Sequence, residues 1–169
     1  MIRRKEKGTL LTPYVPPKEV TFVADAMLGR LARWLRFLGF DTLYYPGITD
    51  NDIIKISREQ KRIILTRDTR LIKRKGIEAF ALIKADDALH QLDEVIELFG
   101  LKQFSPLSRC VSCNGRLSEI SDKRTIKDSV PEFVFLKSKF FQKCNDCGKI
   151  YWEGSHPKEF YARLKETLK

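Results

Sequence analysis

Residues 22–41 read FVADAMLGRLARWLRFLGFD, and this stretch decides the fold. Residues 20–24 form a β-branched and aromatic run that reads as a buried strand, with Asp25 at its carboxyl end. A carboxylate packs badly there. Open parallel sheets bind ligands in the crevice outside the carboxyl ends of their strands, so an acid at this point is placed to hold something. Capping of the following helix accounts for the same Asp equally well. Leu28, Leu31, Leu35 and Leu38 then recur at three- and four-residue spacing, which predicts a helix over 27–38, with Arg30, Arg33 and Arg36 together off its apolar face. Gly39 suits the helix C-cap, and 41–45 reads as the next strand.

From this stretch outward the pattern keeps alternating. Helix 50–59 is followed by strand 62–66, a short helix 69–75, strand 77–83 and helix 87–99. This βαβ order predicts an α/β fold with a mainly parallel sheet. Residues 1–19, with Pro13, Pro16, Pro17 and a basic cluster at 3–7, read as an extended basic arm. Residues 104–108 read as a linker. The α/β domain therefore spans 20–104, and 105–169 holds a cysteine-bounded segment and a closing helix, with Pro157 in its first turn and Phe160 and Leu164 on one side.

The 169 residues are enough to bury a core, and 32 Lys and Arg against 22 Asp and Glu leave a formal charge of +10. That balance favours a polyanionic partner such as nucleic acid, although a solvated Lys-rich surface produces the same number. No apolar run approaches the roughly 20 residues that span a bilayer. With no secretion pattern at the N-terminus, the expectation is a soluble, cytoplasmic protein with no membrane partner.

Acids recur at strand ends and helix starts. Asp50 precedes the helix carrying Ile53, Ile54 and Ile56, and Asp52 lies one turn in, where a carboxylate complements the helix dipole. RIILTRD repeats the arrangement at Asp25, a buried strand ending in Thr66, Arg67 and Asp68. Asp86 and Asp87 follow the strand IEAFALI, one as a helix cap and the other free to face the same crevice. Carboxylates gathered at one sheet edge repel one another unless a cation intervenes, which suits a hard divalent metal. The pattern resembles metal-dependent nucleases, with Arg30, Arg33, Thr66 and Arg67 to orient phosphate oxygens; a receiver-like or phosphatase-like acidic site fits the same topology.

Cys110 and Cys113 in CVSCNGRL, and Cys144 and Cys147 in CNDCGKIYW, form two CxxC knuckles with a spacer of 30 residues. Four thiolates complete a closed tetrahedral Zn²⁺ site, which makes the metal structural. Gly115 and Gly148 suit the knuckle turns, and the long spacer calls for an inserted loop or hairpin around 131–141. His156 is surplus to the four thiolates, His90 reads as a surface residue, and Tyr151 and Trp152 either pack the small core or stack on bases.

The stretches FVADAMLGRLARWLRFLGFD, ITDNDI, RIILTRD, DDALHQL, CVSCNGRL and CNDCGKIYWEGSH, over about residues 20–157, together resemble the Mut-seven C-terminal RNase family. The resemblance implies a PIN-like three-layer α/β sandwich with a small C-terminal zinc ribbon, and a ribonuclease dependent on Mg²⁺ or Mn²⁺. Its strand-one acid corresponds to Asp25, its helix-start acid to Asp50, and the acid after LTR to Asp68. Many relatives carry another acid where this chain has Arg70, so Asp86 or Asp87 would supply a fourth ligand. A noncatalytic RNA-binding or ribosome-associated zinc-ribbon module fits the same features, as does a toxin-like nuclease with a protein antitoxin.

Overall fold

The computed structural model describes residues 8–10 and 20–152; the closing helix expected beyond Pro157, and His156, lie outside the described residues. The α/β unit is built on a sheet of β1 (Gly8–Leu10), β2 (Thr21–Ala24), β3 (Asp41–Tyr44), β4 (Ile63–Thr66) and β5 (Phe80–Ile83), ordered β1-β5-β4-β2-β3. The pairs β2·β3, β2·β4 and β4·β5 are parallel; β1 joins the β5 edge antiparallel, so part of the N-terminal arm is a strand.

The strands form because buried β-branched and aromatic residues run through them. Ile63, Ile64, Leu65 and Thr66 are all buried, as befits a central strand covered on both faces. On one face α1 (Gly29–Phe37) and α3 (Ala88–Phe99) pack Leu31, Leu35, Leu92 and Val95 against Phe22, Ala24 and Leu65. On the other, Ile53 and Ile54 of α2 (Asp50–Gln60) meet Val23, Ile64 and Phe80. Three layers result, as the family resemblance implied, around the mainly parallel sheet that the alternating pattern predicted. Boundaries moved where short-range chemistry intervened: a 3₁₀ turn at Ala26–Leu28 precedes α1, the expected helix at 69–75 is a single 3₁₀ turn at Leu71–Lys73, and β5 starts only at Phe80. No described helix is long and apolar enough to cross a membrane.

The cysteine segment is a second, antiparallel sheet of β6 (Leu117–Glu119), β7 (Phe141–Cys144) and β8 (Ile150–Trp152), ordered β6-β7-β8. The spacer is helical where a loop or hairpin was expected: a 3₁₀ stretch at Lys123–Ser129 and a short α4 (Glu132–Lys137) close over Phe141 with Ile126, Val130 and Val134. The joint at 104–108 is tied down. Ser105 and Leu107 donate backbone bonds to Leu38 and Phe37, and a Cβ on Gly39 would sit 2.6 Å from the Ser105 carbonyl, so both its φ of +97° and its space demand glycine.

One carboxylate fastens the two parts. Asp41, at the start of β3, accepts from Arg62 at 2.5 Å, from Asn114 Nδ2 at 2.8 Å and from Arg109 at 3.2 Å. Asn114 returns a bond by accepting from the Thr42 amide at 3.0 Å. Arg36 works alongside. The row of three arginines expected on the polar face of α1 is broken, because Arg36 is buried, donating to the carbonyls of Thr42, Val111 and Ser112. Burial raises the Asp41 pKa, but the bonds from Arg62 and Asn114 and the charges of Arg62 and Arg109 outweigh it and hold the carboxyl below its ordinary range.

A carboxyl that titrates lower in the folded chain contributes stability that is full above its unfolded pKa of about 4 and is lost as pH falls through the folded value. Asp41→Asn leaves two arginines half-partnered in a dry junction. It is expected to cost about 2–4 kcal/mol at pH 7. Urea unfolding at pH 7 and pH 3 checks both effects, the variant losing less stability than wild type between them.

Candidate functional site

The chain leaves β2 for β3 on one side and returns to β4 on the other, so the strand order reverses between β2 and β4. Ligand crevices of open parallel sheets form at such a point, outside the carboxyl ends of the strands. Asp25 and Asp68 stand there. Ala24 is in register with Leu65, and the Asp25 amide continues the ladder by donating to the Leu65 carbonyl at 2.9 Å.

The Thr66 hydroxyl joins the two acids. It donates to Asp25 Oδ2 at 2.6 Å and accepts from the Asp68 amide at 2.9 Å, and the Thr66 residue itself is fully buried. Asp25 Oδ1 accepts from the Ala26 amide at 2.6 Å, so Asp25 also caps the 3₁₀ turn. Tyr44 braces that turn by donating to the Ala26 carbonyl at 3.1 Å. Glycine at position 29 makes room for it, since a Cβ there would lie 2.7 Å from the Tyr44 hydroxyl. Asp68 accepts from the Arg70 amide at 2.7 Å; that bond, then the Leu71 amide and the Arg70 charge, hold its carboxyl below the ordinary range against partial desolvation.

The remaining acids have other partners. Thr49, not Asp50, caps α2: its hydroxyl accepts from the Asp52 amide and donates to the Asp52 carboxylate. That leaves Asp50 free of capping, and it pairs with Arg74 at 2.8 Å. Asp86 pairs with Arg67, and Asp87 is the α3 cap, accepting from the Leu89 and His90 amides and contacting the His90 ring. Among the described residues, the one group of at least three His, Cys, Asp or Glu side chains whose ligand atoms lie within 4.8 Å of one another is the cysteine set, so the acids are not drawn together to that degree. Arg30 and Arg33 are exposed on α1; Arg70, at the position where an acid was looked for, is 91% exposed and 3.6 Å from Asp68.

Cys110, Cys113, Cys144 and Cys147 are all free thiols, with Sγ atoms of Cys110 and Cys147 3.7 Å apart and those of Cys113 and Cys144 3.4 Å apart. Four soft donors in so small a space, on two knuckles, fit a tetrahedral Zn²⁺ with no open position. The turns are matched: Asn114 and Gly148, each following the second cysteine of its knuckle, have φ of +74° and +73°. Gly115, expected to serve that purpose, instead leaves room for the Asp146 side chain and for Cys144 Sγ, which a Cβ would approach to 2.9 Å. Burial raises the Cys110 pKa, but the Tyr151 hydroxyl, 3.0 Å from its sulfur, and the amides of Cys113 and Ser112 bring it down to about 6. Burial and the neighbouring thiols push Cys113 up to about 12. The Tyr151 hydroxyl thus braces one sulfur of the cysteine cluster.

Sequence reading missed the Thr66 bridge, placing Thr66 toward phosphate, and missed the Arg36 and Asp41 anchors. The hydroxyl's place beside two strand-end acids in RIILTRD was the available signal; the anchors had none.

No curated protein sequence matches the chain, and no solved structure does. A family model does, that of the Mut7-C RNAse domain, and its match over residues 20–164 takes in the strand-end acids, the tied linker and both knuckles. By that match, which covers most of the chain, the protein belongs to the Mut7-C RNAse domain family.

Proposed function

We propose that this protein is a metal-dependent ribonuclease whose centre is Asp25 and Asp68 at the switch point of the sheet. The observation that carries the reading is the Thr66 hydroxyl, which donates to the Asp25 carboxylate and accepts from the backbone amide of Asp68, together with the family match. The donors are all oxygen, as a hard cation requires, and Mg²⁺ or Mn²⁺ sites are commonly made of one or two carboxylates completed by water and substrate phosphate. Asp25 and Asp68 would hold that ion; Asp50 and Asp86, paired with Arg74 and Arg67, or Asp87, the cap of α3, would have to leave those partners to join them. When bound, such an ion lowers the pKa of water and stabilises charge on the leaving oxygen of a phosphodiester.

The chain's own groups do the positioning. Thr66 fixes Asp25, and the Arg70 amide fixes Asp68 in its ionised form. Arg67, Arg30 and Arg33 orient phosphate oxygens, Arg being suited by its planar fork. Arg67 and Arg74 also neutralise Asp86 and Asp50, and hydrolysis leaves a 5′ phosphate. Those same ion pairs favour the second reading, a noncatalytic RNA-binding or ribosome-associated module in which the acids serve as caps and salt-bridge partners. Zn²⁺ held by the cysteines is structural, and four reduced thiols suit a cytoplasmic location.

Asp25→Asn and Asp68→Asn are expected to lower Mn²⁺- or Mg²⁺-dependent cleavage of RNA by more than about 100-fold, with circular dichroism and zinc content unchanged. Thr66→Val, which removes only the orienting hydroxyl, should lose about 10–100-fold. Full cleavage by Asp25→Asn refutes the centre, and salt-sensitive RNA binding without turnover in any divalent metal selects the binding module.

Metal analysis is expected to find one zinc per chain, with Cys113→Ser losing it. Because the ligands bind as thiolates and Cys113 holds its proton far above neutrality, uptake at pH 7 releases protons; affinity measured with a zinc-competing chelator therefore weakens as pH falls.

A further inference from the structure

We propose that Arg30 and Arg33 of α1, Tyr45 at the end of the edge strand β3, and Lys149 of the second knuckle form a track that binds a single strand of nucleic acid between the acid edge and the zinc ribbon. The track rests on the ribonuclease reading for its purpose but not for its geometry.

Arginines at 30, 33 and 36 follow one line down α1, each about 4.5 Å of helix rise below the last. The line starts one turn after Asp25, where Tyr44 packs over Gly29. It ends at Arg36, whose guanidinium donates to the Ser112 carbonyl at 2.9 Å. Lys149 then donates to the Ser112 hydroxyl at 3.0 Å. A continuous chain of contacts therefore runs from the strand-end acids to the second knuckle, and the exposed cations along it are Arg30, Arg33 and Lys149.

Their partners are what decides the reading. Helix α1, GRLARWLRF, contains no acid, and among the described residues no carboxylate pairs with Arg30, Arg33 or Lys149. Like charges three residues apart on a helix repel, so the exposed pair Arg30 and Arg33, unlike the buried Arg36, gives the fold nothing in return unless an anion lies along it. Arg67, Arg74, Arg109 and Arg124 elsewhere each have a carboxylate within reach. Tyr45 supplies the second ingredient of a single-strand site. It is 47% exposed and directly follows Tyr44, which donates to the Ala26 carbonyl and packs over Gly29, the residue before Arg30. A positive groove with an aromatic face beside it is how proteins hold unpaired strands, phosphates on the cations and a base on the ring. Duplex offers no such free base.

The test is fluorescence anisotropy of labelled 12-nucleotide oligo(U) with the full zinc-loaded chain, without Mg²⁺ or Mn²⁺, over a salt series. Arg33→Gln and Lys149→Gln are each expected to weaken binding severalfold and to lower the slope of log K on log salt by about 0.7. Tyr45→Ala should weaken it about 5-fold or more with the slope kept. Lys55→Gln, an exposed cation on α2 at the opposite layer, is the equal-charge control and should leave affinity nearly unchanged. Unchanged affinity in Arg33→Gln and Lys149→Gln, with zinc content intact, overturns the track. So does equal binding of a duplex with the same dependence on these residues. Oligo(U) held through them by a chain that cleaves nothing leaves the track standing and removes the ribonuclease; cleavage that needs Asp25 while these variants bind normally removes the track alone.

Discussion

The junction at Asp41 is the constraint on which the rest of this structure depends. One carboxylate at the start of an edge strand gathers Arg62 from beside β4, and Arg109 and Asn114 from the two sides of the first CxxC knuckle. A charge taken partly out of water must be fully partnered, and three donors converge on it. The consequence is mechanical. The first cysteine knuckle is thereby tied to the start of β3, and whatever orders the four thiols also orders that edge of the sheet. Arg36 strengthens this from the helix side, its buried guanidinium spending its donors on carbonyls of β3 and of the knuckle. The two parts of the chain are therefore one packed body at this seam.

A rigid edge matters to the opposite end of the strands. β2 lies between β3 and β4, so its carboxyl end is positioned by neighbours on both sides. Thr66 is fully buried and aims its hydroxyl at Asp25 while receiving the Asp68 amide, which sets two acids from separate strands within one hydrogen-bonded unit. The reversal of strand order opens the space outside them. The helix layer then starts beside that space, because the 3₁₀ turn capped by Asp25 fixes where α1 begins.

Much of this was legible in the chain before folding. Residues such as Ile63, Ile64 and Leu65 are buried on both faces of a parallel sheet and so form an unbroken apolar run, and α1 shows its buried leucines at helical spacing. The cysteine knuckles were legible because metal chemistry imposes their spacing. Arg36 was misread for a physical reason: helical periodicity assigns it to the polar face, while the carbonyls it serves belong to Val111 and Ser112, 75 and 76 residues away. Asp50 stands at the start of α2, where Asp favours the role of cap, yet Thr49 takes that role one residue earlier and leaves Asp50 to Arg74. The spacer between the knuckles was expected to fold as a loop or hairpin, but Ile126 of a 3₁₀ stretch, Val130 after it and Val134 of α4 cover Phe141.

Capping and metal binding need not exclude each other at the same acid. An ionised carboxylate has about four acceptor positions, two on each oxygen. Asp25 uses one oxygen for the Ala26 amide and the other for the Thr66 hydroxyl, so each oxygen keeps a second lone pair. The bonds that end a strand and start a turn are the same ones that fix the direction of the remaining lone pairs. Fixing that direction before a cation arrives removes rotational freedom that binding would otherwise have to remove. At Asp25 the structural duty would thus be a condition for the proposed chemical one, since the backbone geometry that makes an Asp a good cap also aims its remaining lone pairs.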